Sequence, residues 1–516
     1  MAMFKPDKTH LLTAIVIVVI SIFTYSNINV FEAKHRTFQE VSKASPYGFA
    51  SVDCWFTIGT NWPSTECYYM HVPEDHSQKS ENTKTIVFPV VVFRSKTIST
   101  KAPVLHLGAG GPGAPMGLDS TDNVKVIWQY HDDMSINQGR DLFVIDPRGT
   151  GLSKPLLTCD KFVESETLRL KNNLSFIEDK KATDQDYYDC IKNFKTQKVD
   201  LSKYNSLSIA NDVETMRKAA KIDQWVLIGV SYAATYAQII ATQYPNSIES
   251  MILDSATFPN LKLHDNYFQK TMAVYEALYN YCNAKAGCKK PIPNIEQRIW
   301  NLHKELNKNP IKLEIKHPHQ NEKIEVLLNG ERFIASLIEG IYGKQIFSDL
   351  PKIIVELEAR NTKKITPYLK SFTSYLLDTS YGDISFYSHY CYEEKGYTDF
   401  TLIRKEANKL PPGYLRDTAI LSLDFPDYCN KMEVTSGGPV IATATKTDIP
   451  TLFLHGTLDT ITPLSDVINQ RKSFSHHHLI TYKSSHDVLS SEECSEVVAA
   501  KFIKNTNIDR KALDCN

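Results

Sequence analysis

The sequence predicts an α/β fold with a mostly parallel central sheet, helices on both faces and a large helical cap insertion. From about residue 84 to 256, short aliphatic runs alternate with amphipathic stretches, and several of the runs are apolar throughout. Such runs indicate strands that are buried on both faces. The predicted strands lie at 85–93, 102–107, 141–146, 224–230 and 250–254. Helical spacing at 210–220 and 232–244 separates the later strands, and this alternation favours parallel pairing through right-handed crossovers.

The pattern changes between about residue 258 and 440, which is rich in Tyr, Phe, Lys and Asn and contains few strand-like runs. Buried-strand patterns return at 449–456 and 478–485. We therefore expect a core of residues 34–257 and 441–516, interrupted by a mainly helical cap or lid at 258–440. A cleft between the sheet edge and the cap is where a ligand is expected to bind.

Residues 1–33 are predicted to be a signal peptide or an N-terminal anchor. Lys5 and Lys8 precede an apolar run at 11–23, which is short for a membrane span. No small-x-small cleavage pattern follows Tyr25 closely, so an uncleaved anchor remains the alternative. We expect a secreted or periplasmic protein, with membrane contact only if this segment is retained.

The cysteines also indicate export, because an even number of them in an exported chain predicts disulfides. None of the ten has the C-x-x-C spacing of a zinc or redox site, so no metal is expected. Spacing alone leaves the connectivity open. Pairing in chain order, which closes short local loops, is the hypothesis adopted: Cys54–Cys67, Cys159–Cys190, Cys282–Cys288, Cys391–Cys429 and Cys494–Cys515.

The charge balance excludes one class of partner. The 58 Lys and Arg residues and 59 Asp and Glu residues leave a formal net charge of −1 over 516 residues. A chain with so little net charge lacks the basic footprint of a nucleic-acid-binding protein.

Ser231 is the candidate nucleophile. It lies where the predicted strand 224–230 meets the predicted helix 232–244, and Gly229 and Ala233 flank it at two residues' distance. A serine on such a strand-to-helix turn has its hydroxyl exposed above the sheet, and small flanking residues permit the tight turn. The alternative is a serine that only caps the helix.

Asp459 and His486 are the candidate partners of Ser231, because a serine nucleophile needs a base and a group that orients the base. Each follows one of the two late strands, so both fall on loops at the sheet edge that carries Ser231. Their order after the serine matches the order found on this kind of sheet.

Three rival positions are less suitable. Asp466 is expected inside a helix, and Asp487 adjoins the histidine in the chain, which makes side-chain pairing awkward. The histidines at 476–478 precede the last strand and lie at its wrong end.

A glycine-rich stretch at 106–113 follows an early strand and is the candidate oxyanion hole. The expected donors are the backbone N–H of Tyr232 and that of Gly110 or Gly111. A phosphate cradle is the alternative. The stretch lacks the Lys-Ser/Thr of a P-loop and the spaced glycines of a dinucleotide site, so no cofactor is expected. The next motif, at 146–153, is predicted to be a rigid turn in which Arg148 braces neighbouring loops.

Together these motifs resemble secreted tripeptidyl aminopeptidases, which belong with the proline iminopeptidase group of α/β-hydrolase serine peptidases. The resemblance runs from about residue 50 to the C-terminus and is carried by GGPG (110–113), DPRGTGLSKPL (146–156), GVSYA (229–233), HGTLDTITP (455–463) and SSHDVLSSEEC (484–494). It implies an α/β-hydrolase fold, no cofactor, and removal of short peptides or single residues from substrates with a free N-terminus. Ala233 and Ser485 depart from the family, which usually has glycine at both positions.

The resemblance also implies a site for the substrate's amino group. In related enzymes, carboxylates under the cap pair with the ammonium, and Glu393 and Glu394 beside Cys391 are the candidates. The alternative is that both are solvated surface acids.

Two other functions compete with the peptidase. An esterase or lipase would use the same three residues, because fold and triad do not separate ester from amide cleavage. A non-catalytic binding protein could use the same scaffold, but loss of the serine, acid or histidine would be its signature, and all three are present.

Overall fold

The computed structural model describes residues 36–514, except 79–81, 99, 109, 263–275, 281–292, 410–415, 417–419 and 421–424. The predicted signal or anchor segment, residues 1–33, lies outside the described residues. In the described part, no helix is long and apolar enough to cross a membrane.

A nine-stranded sheet lies at the centre of the unit that begins at Thr37. The strands in chain order are β1 (Gly48–Val52), β2 (Thr65–Pro73), β3 (Thr85–Phe93), β4 (Val104–His106), β5 (Leu142–Ile145), β6 (Trp225–Val230), β7 (Ile248–Asp254), β8 (Ile311–Lys316), β9 (Lys323–Leu328), β10 (Thr451–Gly456) and β11 (His477–Tyr482). The sheet order is β1-β2-β3-β5-β4-β6-β7-β10-β11, and β8 and β9 form a separate antiparallel hairpin.

The sheet is mostly parallel, as predicted. The strands from β5 through β4, β6, β7 and β10 to β11 pair in parallel. The antiparallel strands β1, β2 and β3 extend the edge next to β5. In the register of β6 and β7, Val230 pairs with Asp254, so the chain enters Ser231 directly beside the end of β7.

The helices in chain order are α1 (Thr121–His131), α2 (Asp160–Arg169), α3 (Phe176–Thr196), α4 (Ser206–Ala219), α5 (Ala233–Gln243), α6 (Ile295–Lys308), α7 (Gly330–Gly340), α8 (Gln345–Glu358), α9 (Thr366–Leu376), α10 (Asp383–Glu393), α11 (Phe400–Ala407), α12 (Phe425–Met432), α13 (Leu464–Gln470), α14 (Val488–Ser491) and α15 (Glu493–Lys504). The segment from 258 to 440 contains α6 to α12 and also the hairpin β8–β9, which the sequence patterns did not predict.

Helices cover both faces of the sheet, and β5 shows why. Phe143 and Ile145 belong to an apolar cluster that includes residues of α4 and α5. Leu142 and Val144 belong to a second cluster that includes residues of α1 and α15. Successive side chains of a strand point to opposite faces, so an apolar run such as LFVI needs apolar cover on each side.

Three of the predicted disulfides are present: Cys54–Cys67, Cys159–Cys190 and Cys391–Cys429. Cys494 is also disulfide-bonded. Cys282, Cys288 and Cys515 lie outside the described residues.

Arg148 braces the turn after β5, as predicted. Its side chain is fully buried and forms a two-pronged ion pair with Asp212 of α4, with N–O distances of 2.7 and 2.5 Å. It also donates to the backbone carbonyls of Pro73, Glu74 and Lys203. A buried guanidinium requires this degree of pairing, so the motif stabilises the loops around it.

Candidate active site

Ser231 occupies a strained turn between β6 and α5. Its φ is +54°, a left-handed conformation that is rare outside glycine and is typical of functional turns. Its N–H donates to the carbonyl of Asp254 over 2.9 Å. A Cβ on Gly229 would lie 2.7 Å from the carbonyl oxygen of Ala233 and 2.8 Å from the Cα of Ala234, so only glycine fits there.

Asp459 and His486 form a hydrogen-bonded pair, with 2.9 Å between Asp459 Oδ2 and His486 Nδ1. The residues that directly follow Asp459 also stabilise its carboxylate, because Ile461 N–H, Thr462 N–H and the Thr462 hydroxyl all donate to it. Burial raises the pKa of Asp459, but the hydrogen bond and charge of His486 outweigh it and leave this pKa below its ordinary value. An ionised carboxylate only accepts, so Nδ1 donates to Asp459, and when the imidazole is neutral Nε2 is the acceptor.

Ser231 and His486 line one cavity of about 590 Å³, together with Tyr232 and Gly110. Across the described residues, no hydrogen bond joins Ser231 to His486. Hydrogen bonds between catalytic groups are often longer in the free enzyme than in the complex with substrate. The observation that links Ser231 to His486 is therefore that both line one cavity.

The rival residues have other places. Asp466 lies in α13, as predicted. Asp487 caps α14, where its carboxylate accepts from the hydroxyl of Ser490 over 2.6 Å. His477 and His478 begin β11 rather than preceding it, but they lie at its amino end, opposite the end that leads to His486.

The glycine loop that is the candidate oxyanion hole lies against Ser231. A Cβ on Gly110 would lie 2.8 Å from Ser231 Oγ and would overlap Ser231 Cβ. Gly111 has a φ of +87°, which favours glycine. Within the part of the chain that the structure describes, the N–H groups of Gly110, Gly111 and Tyr232 donate to no acceptor.

Asp254 is a site residue that sequence reasoning missed. It ends β7, is fully buried, and accepts from Val488 N–H (3.2 Å) and Leu489 N–H (2.7 Å). Its neighbour Ser255 accepts from the N–H of Asp487 over 3.0 Å. These bonds hold the residues that follow His486 against the strand beside Ser231. Burial and the charge of Asp487 raise the pKa of Asp254 well above its ordinary value. An acid at the end of an otherwise apolar strand was the available signal.

Glu393 and Glu394 are 2% and 3% exposed, so the alternative of solvated surface acids is wrong. Glu393 accepts from the Ser206 N–H (2.6 Å), the Ser206 hydroxyl (2.9 Å) and the Tyr232 hydroxyl (2.7 Å). Neither glutamate is among the described residues that line the Ser231 cavity or the larger cavity next to it.

The larger neighbouring cavity has a volume of about 1070 Å³ and shares Gly110, Gly111, Tyr342 and Phe386 with the Ser231 cavity. The ring of Tyr342 meets that of His486 edge-on, with centroids 5.4 Å apart. The larger cavity is acidic. Its described lining includes three carboxylates and no lysine or arginine, and the acids are Asp119, Glu339 and Asp378. Burial raises the pKa of Glu339.

No group of three or more His, Cys, Asp or Glu side chains in the described ranges is arranged to hold a metal ion.

Known families match the two parts of the chain that carry the site. The family described as alpha/beta hydrolase fold matches residues 110–286, and the family described as TAP-like protein matches residues 421–515. The first range contains Ser231, and the second contains Asp459 and His486.

Two curated proteins are similar over part of their length. Serine protease Hip1 of Mycobacterium tuberculosis is 25% identical over 235 residues, which are 43% of this chain and 42% of that protein. The putative hydrolase YuaR of Escherichia coli is 24% identical over 237 residues, 45% of this chain and 44% of that protein. The matches thus span less than half the length of these relatives.

Solved structures align with most of this chain at low sequence identity and low structural similarity. An esterase from Exiguobacterium antarcticum aligns with 81% of this chain and 96% of its own at 12% identity, with a TM-score of 0.35. A serine hydrolase from Cycloclasticus zankles aligns with 86% of this chain and 100% of its own at 10% identity, with a TM-score of 0.38. The chain has the α/β-hydrolase fold, and its sequence similarities support a hydrolase that resembles a serine protease.

Proposed function

We propose that this α/β hydrolase is a serine exopeptidase that cleaves peptide bonds near free N-termini through Ser231, His486 and Asp459. The observation that carries the proposal is the hydrogen-bonded pair of His486 and Asp459, which shares a cavity with Ser231. The backbone of Gly110 lies against the same serine. Nucleophile, base, orienting acid and oxyanion donors are the parts that acyl transfer requires.

In the first stage, Ser231 Oγ attacks the scissile carbonyl carbon while His486 Nε2 takes the hydroxyl proton. Asp459 stabilises the imidazolium that forms. The N–H groups of Tyr232 and of Gly110 or Gly111 donate to the carbonyl oxygen as it becomes negative. The C–N bond then breaks, and His486 gives the proton to the leaving amine.

In the second stage, water attacks the carbonyl carbon of the acyl-enzyme. His486 takes a proton from the water, the bond between carbonyl carbon and Ser231 Oγ breaks, and the proton returns to Ser231. The N-terminal fragment leaves as a carboxylate.

The larger cavity supports action near a free N-terminus. It adjoins the Ser231 cavity and has room for several residues, with three carboxylates in its described lining. A peptide N-terminus carries a positive charge at neutral pH, so these acids complement it. We assign amine recognition to these three carboxylates, the acidic wall, rather than to Glu393 or Glu394, because neither glutamate is among the described lining residues of either cavity.

Residues 258–440 are proposed to form the cap over the site. Tyr342 and Phe386 of this segment line the Ser231 cavity, and Tyr381 donates to the carbonyl of Pro112 over 3.0 Å. An extracytoplasmic location is proposed from the disulfides, which form and persist in oxidising compartments.

The function is tested with three substrates: a free-amine tripeptidyl anilide, the same anilide with an acetylated N-terminus, and a simple ester that has no amino group. We expect the free-amine anilide to have a higher kcat/KM than its acetylated form and the Ser231→Ala variant to cleave none of the three substrates. Turnover of only the ester or the acetylated anilide would instead indicate an esterase or an endopeptidase.

A further inference from the structure

Glu393 is a buried carboxylate that the proposed reaction does not use. Its Oε1 accepts from the N–H of Ser206, the first residue of α4, and its Oε2 accepts from the Ser206 hydroxyl. The hydroxyl of Tyr232 donates to the same Oε2 over 2.7 Å. One side chain at the end of α10 therefore connects the start of α4 to the residue that follows Ser231.

Tyr232 has two separate tasks in the site. Its backbone N–H is the proposed oxyanion donor and has no acceptor among the described residues. Its ring is 6% exposed and packs edge-on against Tyr236 and His389, with centroid distances of 5.7 and 6.3 Å. The Glu393 carboxylate thus holds the hydroxyl end of the Tyr232 side chain, and the backbone of the same residue carries the proposed oxyanion donor.

The turn before Tyr232 explains why an anchor is useful. Ser231 has a φ of +54°, a left-handed conformation that is strained for a residue with a side chain. Rotation about the N–Cα bond of Ser231 would relieve that strain, but it would also move the peptide plane that follows and turn the Tyr232 N–H away from the oxyanion. A ring that is packed and bonded at its hydroxyl opposes this rotation.

Burial, and then the nearby Glu393 charge, raise the pKa of Tyr232 well above its ordinary value. The hydroxyl therefore remains a donor at neutral pH.

We infer that Glu393 is a positioning residue whose bond to the Tyr232 hydroxyl fixes the oxyanion-donating N–H of Tyr232. This role rests on the proposed function, since it requires an acyl-transfer transition state. It differs from amine recognition, because a positioning residue acts on every acyl substrate whether or not its amine is free. Preorganised donors act mainly in the transition state, so kcat is the constant that should respond.

The test compares Tyr232→Phe and Glu393→Gln with the wild-type protein on the free-amine anilide, the acetylated anilide and the ester. Tyr232→Phe removes only the hydroxyl and leaves the backbone donor and the bonds between Glu393 and Ser206 intact. We expect kcat to fall about tenfold on every substrate that the wild type cleaves, with KM changed less than about twofold, because loss of a whole donor costs about 10²–10³. The double variant should be no slower than the slower single variant, since both changes act on the same bond between Tyr232 and residue 393.

Tyr236→Phe is the matched control. It removes a hydroxyl one helical turn after Tyr232. The Tyr236 ring contacts Tyr232 and His389, but the hydroxyl that donates to Glu393 is that of Tyr232. Its kcat should equal that of the wild type. Rates are expressed per Ser231 labelled by a fluorophosphonate, so that misfolded protein is not counted.

Unchanged kcat in Tyr232→Phe would overturn the inference, even if Glu393→Gln failed to fold. A rise in KM confined to free-amine substrates in Glu393→Gln would also overturn it and would return Glu393 to amine recognition. Failure of the proposed function looks different: the wild type would cleave no substrate, or its Ser231 would take up no fluorophosphonate, and the inference would fall with it.

Discussion

At the scale of single residues, Gly110 lies so close to Ser231 that a Cβ on residue 110 would overlap the Cβ of Ser231. The alternation of apolar runs and the order of the motifs were enough to select Ser231, Asp459 and His486 from the sequence. The contacts of Glu393 were not predictable in this way, because its partners Tyr232 and Ser206 lie 161 and 187 positions away in the chain. The residues next to Glu393 in the sequence show only a short run of charged side chains.

Gly110→Ala tests the contact with Ser231. The new methyl would lie 2.8 Å from Ser231 Oγ and overlap Ser231 Cβ, so either the loop or the serine must move. Because both an oxyanion donor and the nucleophile would shift, we expect kcat to fall by about a hundredfold or more. Steady-state kinetics on the purified variant measure it.

Gly438→Ala is the matched control, since a Cβ there would have no heavy atom within 4 Å. This variant should retain wild-type kcat and thermal stability. Equal activity in the two alanine variants would mean that the 110–113 loop does not border the reacting serine in solution.

At the scale of elements, α10 connects the 258–440 segment to the site. Glu393 at its end bonds Tyr232, and Asp383 at its start accepts from the Cys159 N–H and the Tyr187 hydroxyl, each over 3.2 Å. Cys391 in the same helix is bonded to Cys429. The helix is therefore held at its start by Asp383, near its end by the disulfide of Cys391, and at its last residue by the bond from Tyr232 to Glu393.

The anchor at Asp383 predicts a pH effect on stability. Burial raises its pKa from 3.8 to about 7, so the folded protein binds a proton that the unfolded chain releases between these values. The stabilising contribution of this proton is present at low pH and is lost as the pH rises toward about 7. Asp383→Asn cannot ionise, so its melting temperature should gain on the wild type as the pH rises from about 4 to about 7.

Differential scanning fluorimetry across that range measures the effect. Asp223→Asn, at an exposed acid, is the matched control and should keep a constant difference from the wild type. A difference for Asp383→Asn that is equally constant with pH would show that Asp383 does not retain its proton in the folded state.

Strands were predictable where they are buried on both faces. The predicted runs 141–146 and 224–230 contain β5 and β6 and match them to within two residues at each end. β1 and β2 were not predicted, because buried, partly exposed and exposed positions are mixed along them at the antiparallel edge. The hairpin β8–β9 was missed because β8, with the sequence IKLEIK, is a short alternating strand within a stretch of helical patterns.

At the scale of the whole molecule, the three proposed catalytic residues follow strands of the central sheet. The 258–440 segment forms much of the cavity wall around them. The larger cavity shows this division: Gly110 and Asp119 come from the first part of the chain, and Glu339 and Asp378 come from the 258–440 segment. No pattern in the sequence predicted this acidic wall, because its members are far apart in the chain and meet only after folding.

Glu339→Gln tests amine recognition by the acidic wall. The change keeps the size of the side chain and removes its charge, so we expect KM for the free-amine anilide to rise about tenfold, which corresponds to about 1.4 kcal/mol. The kcat for that substrate and both constants for the acetylated anilide should be unchanged. An equal rise in KM for the acetylated anilide would mean that Glu339 does not recognise the amine.

The central claim is that Ser231 is activated by His486 and Asp459. Its most direct test is fluorophosphonate labelling of the native protein, with the adduct located by peptide mass mapping. We predict one adduct, on Ser231, which disappears in Ser231→Ala and forms much more slowly in folded His486→Ala. An adduct on another residue, or labelling of Ser231 at the same rate without His486, would contradict the assignment.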